Sequence, residues 1–399
     1  MKKGWETMKL GEVCSFLNRG VAPEYVEKGG IVVLNQRCVR DHRVNFQLAR
    51  RHDTKTKSVN PERLVQAGDV LINSTGEGTL GRVAQLREPP PKPTTVDSHV
   101  TIVRPAPGLF FTEFFGYALR DIEEELQASG EGCGGQTELN RSVLAEKFVV
   151  RFPKALSEQK RIVRVLDEAF AAIATAQANT EKNLQNAGAL FESHLHSIFT
   201  NKKWQKNALG DLCTGVEYGS SAKSKKEGNV PVLRMGNIQG GRFDWEHLVY
   251  TDDKEEIARY MLRHNDVLFN RTNSPELVGK TAIYKNERPA IFAGYLIRIH
   301  RKPNLLDADY LNYFLNSRIA FDYGKTVVIS SVNQANINGA KLKTYPIPTP
   351  SLSEQNAIVT QLDALAAETQ RLTRLYEQKR AALADLKKAL LHQAFSGEL

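Results

Sequence analysis

The stretch KALSEQKRIVRVLDEAF, Lys154–Phe170, has a counterpart later in the chain, PSLSEQNAIVTQLDALA, Pro350–Ala366. Ser157 and Ser353 are 196 residues apart, and at that offset Ile162-Val163 answers Ile358-Val359 and Leu166-Asp167 answers Leu362-Asp363. A chance tetrapeptide would not carry the further agreement, whereas a duplicated element does.

Working outward, the duplication covers the chain. WETMKLGEVC from Trp5 aligns with WQKNALGDLC from Trp204, and IVVLNQRCV from Ile31 faces VPVLRMGNI from Val230, both at an offset of 199. GDVLINSTGEGTLGRVA from Gly68 faces NDVLFNRTNSPELVGKTA from Asn265, LFFTEFFGYALR from Leu109 faces LLDADYLNYFLN from Leu305, and GGQTELN from Gly134 faces VNQANIN from Val332. Each half is a globular module followed by a long helix. The division read from this pattern is a first module over 1–155, a first long helix over 156–200, a second module over 201–350 and a second long helix over 351–399.

The helices are the firmest local reading. Ser157 to Phe199 holds no proline and one glycine, Gly188, and Ser351 to Ser396 holds neither. About 43 residues at about 1.5 Å each give a rod of roughly 65 Å, longer than a small domain is wide. Steps of four and three run through Leu166, Phe170, Ile173, Gln177, Thr180, Leu184, Ala187, Phe191, His194 and Ile198. The same rhythm runs through Ile358, Leu362, Leu365, Thr369, Leu372, Tyr376, Lys379, Leu383, Leu386 and Leu390. That spacing predicts a heptad seam, with the two rods joined as an antiparallel coiled coil. Ser157 and Ser353 are the expected N-caps, and Glu158 and Glu354 suit the positive ends of the helix dipoles.

Inside each module, short β-branched runs bounded by Gly, Asn and Pro predict strands: IVVLN, DVLIN and HVTIVRP in the first, VPVLRM, DVLFN and YLIRIH in the second. FTEFFGYALRDIEEELQ and DADYLNYFLNSRIAFDY carry helical spacing. The fold class is therefore α+β: two pseudo-symmetric α/β modules and two long paired helices.

Composition narrows the function. The chain has 399 residues, 41% of them hydrophobic, enough for several buried cores. No segment approaches the roughly 20 apolar residues of a membrane span, so the expectation is a cytoplasmic protein without membrane contact. Cys14, Cys38, Cys133 and Cys213 include no C-x-x-C pair and read as ordinary thiols. Residues 1–155 hold 22 basic against 19 acidic residues and 201–350 hold 22 against 15, while the helical stretches are close to neutral. The net charge of +9 thus sits on the modules, where it favours phosphate, and neutral rods suit protein contacts.

Local texture points the same way. NQRCVRDHRVNFQLARRHDTKTK from Asn35, and RMGNIQGGR, FNRTNSPE and SSVNQANIN in the second module, mix Arg with the amide side chains that read base edges. The residues expected to contact DNA are Arg37, Arg40, Arg43, Asn73, Thr75 and Gln136 in the first module and Arg234, Asn237, Arg271, Asn273, Asn333 and Gln334 in the second.

Enzyme signatures fail on context. GEGTLG, Gly76–Gly81, satisfies G-x-G-x-x-G, but RVAQLREPP after it is too short and proline-stopped for the required helix. VGKT at Val278 lacks the upstream glycine of a phosphate loop, and His194 and His196 cannot share a helix face as metal ligands. No catalytic and no metal-binding residues are assigned. A stand-alone DNA endonuclease with a scattered active site is the alternative that the residues leave open.

Two modules each followed by LSEQ and a long helix, with PSLSEQ at Pro350, NRTNSPELVGKTAI from Asn270 and ALLHQAFSGEL from Ala389, resemble the specificity subunit of a Type I restriction-modification system. The resemblance covers essentially the whole chain. The first copy departs in FPKALSEQ and in NSTGEGTLGRVA, where an arginine-bearing loop would stand. The resemblance implies that each module is a target-recognition domain for one half of a bipartite double-stranded DNA sequence, and that the helices act as a ruler. It further implies docking of two methyltransferase subunits and a restriction and translocation subunit. S-adenosylmethionine would be held by the methyltransferase alone, and this chain would hold no cofactor and perform no catalysis.

Overall fold

The computed structural model describes residues 4–130, 138–331 and 334–399. The chain divides into two units: 1–179 with 379–399, and 180–378. Each contains one α/β module and a stretch of both long helices.

In the first unit a four-stranded antiparallel sheet is built from β1 (Cys14–Arg19), β2 (Val70–Asn73), β3 (Val83–Gln85) and β4 (Val100–Pro105), in the order β1-β4-β2-β3. Strand β2 is buried at every position, as expected of a run, Val-Leu-Ile-Asn, with core on both faces. One face packs on α1 (Thr112–Asp121), whose Phe114, Phe115 and Leu119 are fully buried. The other face covers a smaller core of Leu34, Cys38, Val39, Leu71, Val96 and Ile102. There Ile31–Leu34 pairs in parallel with Thr94–Val96 and antiparallel with Arg50–His52.

The long helix α2 runs Leu156–Phe199. The second unit repeats the sheet with β5 (Cys213–Tyr218), β6 (Val267–Asn270), β7 (Thr281–Ile283) and β8 (Leu296–Arg301), in the order β5-β8-β6-β7. Helix α3 (Ala308–Leu315) covers this sheet as α1 covers the first. Val230–Leu233 pairs in parallel with Ile291–Phe292, repeating the small side sheet. Helix α4 runs Leu352–Ser396. Both predicted intermediate helices prove to be two pieces. The second breaks where Ser317 caps Arg318–Val327 by accepting from the Ala320 amide, so a polar N-cap overrides the helical periodicity.

The long helices pair antiparallel within each unit. In the first, Ile162, Leu166 and Phe170 of α2 join the core that holds Leu390, Leu391, Ala394 and Phe395 of α4, and the Lys387 ammonium lies 5.6 Å from the Phe170 ring centroid. In the second, Leu195 and Phe199 of α2 share a core with Ile358 and Leu362 of α4. The predicted heptad seam drifts at both C-terminal ends. His194 is exposed and Leu195 buried, while Leu386 is 47% exposed and Ala394 and Phe395 are buried. In these last turns the buried side chains belong to a module core, which selects a face one residue away from the coiled-coil seam. Lys379 is exposed as well, its charge favouring water over the seam.

The repeated Leu-Ser-Glu-Gln has its reason in the glutamine. Gln159 is fully buried, accepts from the Phe111 amide at 2.7 Å, and donates to the carbonyls of Leu109 (3.2 Å) and Pro153 (2.9 Å). Gln355 accepts from the Asp307 amide (2.8 Å) and donates to Leu305 (2.9 Å) and Pro350 (3.0 Å). Each amide thus pins the first turn of a rod to the loop entering α1 or α3, satisfying buried backbone groups that would otherwise be orphaned. The expected N-caps are corrected: Ser157 and Ser353 lie inside the first turn. At the second rod the cap is Ser351, whose hydroxyl accepts from the Glu354 amide at 3.3 Å while Glu354 bonds back to the Ser351 amide at 3.1 Å, a capping box.

Candidate nucleic-acid interface

In the first unit polar side chains converge where β2 ends. Asn73 closes the strand, fully buried, and its amide group donates to the Gln36 carbonyl at 3.1 Å. Its amide N–H donates to the Arg82 carbonyl and its carbonyl accepts from Gly81. This ties off the loop 74–81, and Gly81 (φ +75°) sits so close to the Gln127 backbone that a Cβ would collide. Ser74 N–H then donates to the His99 carbonyl at 2.8 Å. Thr75 Oγ1 receives Gln36 Nε2 at 2.8 Å and meets His99 Nδ1 at 2.7 Å. Arg19 reaches the same place, donating to the Leu139 carbonyl (3.1 Å) and pairing with Glu138 at 2.7 Å.

The second unit builds the same frame from different side chains. Asn270 is fully buried at the end of β6, its N–H bonded to Lys280 O and its carbonyl to Gly279 N. Asn270 therefore corresponds to Asn73, and the loops 74–81 and 271–279 are one element in two sequences. Arg271 N–H donates to the Tyr295 carbonyl at 3.0 Å, as Ser74 does to His99. The Arg271 guanidinium lies 4.9 Å from the Tyr218 ring centroid, and the Tyr218 hydroxyl accepts from the Gly339 amide at 2.7 Å. Asn336 Nδ2 donates to Thr272 Oγ1 at 2.8 Å, and Asn273 Oδ1 accepts from the Ser274 amide at 2.9 Å.

A short hairpin stands beside each frame. In the first, Val39–Arg40 pairs with Arg43–Val44 through a turn with Asp41 and His42 at positive φ (51° and 60°), the mirror-image turn that suits a twisted two-residue hairpin. Glu123 holds it: one oxygen lies 2.6 Å from His42 Nε2 and the other accepts from the Val83 amide at 2.9 Å. In the second, Ile238–Gln239 and Arg242–Phe243 turn through Gly240 and Gly241, and Asn312 donates to the Gly241 carbonyl at 3.0 Å.

Of the residues expected to touch DNA, Arg37 is exposed on the short 3-10 turn Gln36–Cys38 and Arg40 and Arg43 on the hairpin, and no ion pair holds them among the described residues. Thr75 and Asn273 stand in the loops after the buried asparagines, Arg271 is half-buried over Tyr218, and Gln334 is exposed on the strand Gln334–Asn336. Arg234 is exposed, with a bond from its guanidinium to the His247 carbonyl at 2.9 Å. Asn73 and Asn237 are buried rather than exposed. Asn73 is sealed at the strand end, and Asn237, 4% exposed, donates to the Asp244 and Glu246 carbonyls and accepts from the Arg234 amide. Both shape the backbone around them from buried positions. Gln136 and Asn333 lie outside the described residues. The composition reading missed His99 and Tyr295, both exposed at the same point of the two frames. They open the runs HVTIVRP and YLIRIH, which the sequence marked only as strands.

At the root of the first rod a cleft of about 820 Å³ is lined by His42, Arg43, Arg87, Arg120, Tyr117 and Lys387 among others. Burial, with Arg120 nearby, holds the Lys387 ammonium below its ordinary value, and burial likewise lowers Arg120. Burial pushes the Tyr117 hydroxyl up to about 12, helped by its bond to Asp167. Burial also lifts the thiols of Cys14, Cys38 and Cys213, Cys14 to about 12, so none is poised as a thiolate. Among the described residues no group of three or more His, Cys, Asp or Glu could hold a metal ion, and no helix is long and apolar enough to cross a membrane.

Two polar frames of one design, each at the end of a sheet and each followed by a helix start pinned by a buried glutamine, define a duplicated recognition protein. The chain belongs to the family of the Type I restriction modification DNA specificity domain, whose model matches residues 2–185 and 201–379. A putative type I restriction enzyme MjaX specificity subunit of Methanocaldococcus jannaschii is 33% identical over 39% of this chain and 37% of its own length. The type I restriction enzyme EcoKI specificity subunit of Escherichia coli K12 is 23% identical over 86% of this chain and 76% of its own length. The chain thus spans little more than a third of the first relative and about three quarters of the second. Two solved structures share the fold over the full chain. One is a chain of a type I R-M system (TM-score 0.80, 19% identity, 99% of that chain) and the other the HsdS subunit of Thermoanaerobacter tengcongensis (TM-score 0.65, 20% identity, 98% of that chain).

Proposed function

We propose that this chain is the DNA-reading subunit of a Type I restriction-modification complex. Each frame takes one half of a split double-stranded target, and the paired helices set the gap between the halves. The observation that carries the reading is the duplicated frame itself: the same strand end, loop and hairpin occur twice, with the first loop residue changed from Ser74 to Arg271 and the exposed ring beside it from His99 to Tyr295. A conserved frame with exchanged tips is what two readers of different sequences require, because base edges are told apart by the side chains that meet them. The basic modules supply the sequence-independent attraction to phosphate.

On this reading the chain performs no chemistry. Two methyltransferase subunits, using S-adenosylmethionine, and a restriction and translocation subunit would bring it, and the complex would act in the cytoplasm. The near-neutral long helices and the internal duplication suit two like docking sites. The rival reading, a stand-alone endonuclease, is tested by incubating the purified chain with plasmid and magnesium: intact plasmid is expected, and cleavage would overturn the proposal. A gel-shift with and without the methyltransferase subunits completes the test, with sequence-specific retention expected from the complex.

A further inference from the structure

We propose that His99 is a base-reading residue of the first module, presenting an Nε2–H donor to a base acceptor, and that Tyr295 holds the corresponding place in the second. The proposal rests on the DNA-reading function above and names residues that the composition of the chain did not single out.

Three observations converge. The backbone places the two residues identically: the carbonyl of His99 accepts from Ser74 and that of Tyr295 from Arg271, the first residues after the buried asparagines Asn73 and Asn270. Both rings are exposed, Tyr295 by 52%, although each lies one residue before a fully buried one, Val100 and Leu296. Each ring joins a flat face to a polar group able to hydrogen-bond, and the two recur at one point of the repeat.

The third observation is the contact that engages His99 Nδ1. Gln36 Nε2–H donates to Thr75 Oγ1, and His99 Nδ1 lies 2.7 Å from that same oxygen; the Thr75 hydroxyl proton is assigned to this contact. An imidazole that accepts at Nδ1 carries its proton at Nε2, which makes the second ring nitrogen of this exposed residue a donor. Guanine O6 and N7, adenine N7 and thymine O4 are the major-groove acceptors that such a donor can meet. In the second module Thr272 Oγ1 is taken up by Asn336, and the reading ring is a phenol, which donates and accepts. The two halves would therefore differ in what they tolerate.

The experiment is to map methylated sites, and to measure binding to single-base-substituted duplexes, for the chain assembled with its methyltransferase subunits. Wild type is compared with His99→Phe, which keeps a ring and removes the donor, with Thr75→Val, which releases the tautomer, and with Tyr295→Ala. Thermal melts confirm that each variant is folded. His99→Phe is expected to lose discrimination at one position of one half-site, by about tenfold or more. Thr75→Val is expected to relax the same position to a smaller extent, and Tyr295→Ala to relax the other half only. A split wild-type motif left unchanged by His99→Phe overturns the inference. So does a uniform loss of affinity across all substitutions, which marks a phosphate contact. A wild-type complex without a split motif would instead defeat the DNA-reading proposal itself.

Discussion

The Tyr117 hydroxyl donates to Asp167 Oδ1 at 2.5 Å, and 196 residues later Tyr313 donates to Asp363 Oδ1 at the same distance. In both repeats a tyrosine of the module helix grips the fourth turn of a rod. Burial alone would raise the Asp167 carboxyl, but hydrogen bonds from Arg87 and Tyr117 outweigh it and hold the group below the ordinary 3.8. A carboxylate depressed in the folded state contributes stability above its unfolded value and loses it as the pH falls through the folded one. Tyr117→Phe should therefore lower unfolding free energy by about 1–2 kcal/mol near pH 7. The difference from wild type should shrink below about pH 3 in urea titrations, as Asp167 protonates.

The glutamine clamp predicts a larger loss. Gln159→Ala leaves an amide and two carbonyls without their partner in a buried joint, and Gln355→Ala does the same in the second unit. Each should cost about 2–4 kcal/mol, read as a lower denaturation midpoint. Ser157→Ala and Ser353→Ala should change stability by no more than about 0.5 kcal/mol, since neither serine caps its helix.

Asp121, at the end of α1, is pushed up to about 6, chiefly by burial, with His392 and Arg151 pulling the other way. A carboxyl raised in the folded state gives stability that is present below its unfolded value and lost as the pH rises through the folded one. Asp121→Asn should stabilise the chain at pH 8 by about 1–2 kcal/mol and leave it nearly unchanged at pH 4. Thermal melts at the two pH values measure this.

Arginine and asparagine candidates should separate cleanly. Arg37→Ala removes an exposed charge, so stability should hold while DNA affinity falls and the slope of log affinity against log salt drops by about one. Asn73→Ala should lower stability by about 1–2 kcal/mol, because the Gln36 carbonyl loses its partner at the buried strand end.

The architecture was legible because duplication and periodicity are properties of the chain itself: proline-free rods and repeated β-branched runs need no tertiary context. The joint was less so. The LSEQ repeat was visible, but a capping preference pointed to its serine, whereas the glutamine acts through a loop about 50 residues upstream. Periodicity also followed the seam to His194 and Leu386, past the point where the module core takes over. At the candidate interface, residue type identified exposed arginines but could not distinguish an asparagine that meets solvent from one that builds a turn. The internal alignment held that distinction: Asn237 answers Cys38, and both accept the backbone N–H that closes the short 3-10 turns Met235–Asn237 and Gln36–Cys38, from Arg234 and from Asn35. A position filled by a buried thiol in one repeat is a structural position in the other.

The central claim, two readers with a gap set by the long helices, is tested most directly by mapping methylated adenines in cells carrying the chain and its methyltransferase subunits. Wild type is compared with a chain lengthened by one heptad in the middle of each long helix. Seven residues add about 10.5 Å, which is about three base pairs. The account predicts a split motif whose two halves keep their sequences while the gap grows by about three. A contiguous motif, or a gap indifferent to helix length, would contradict it.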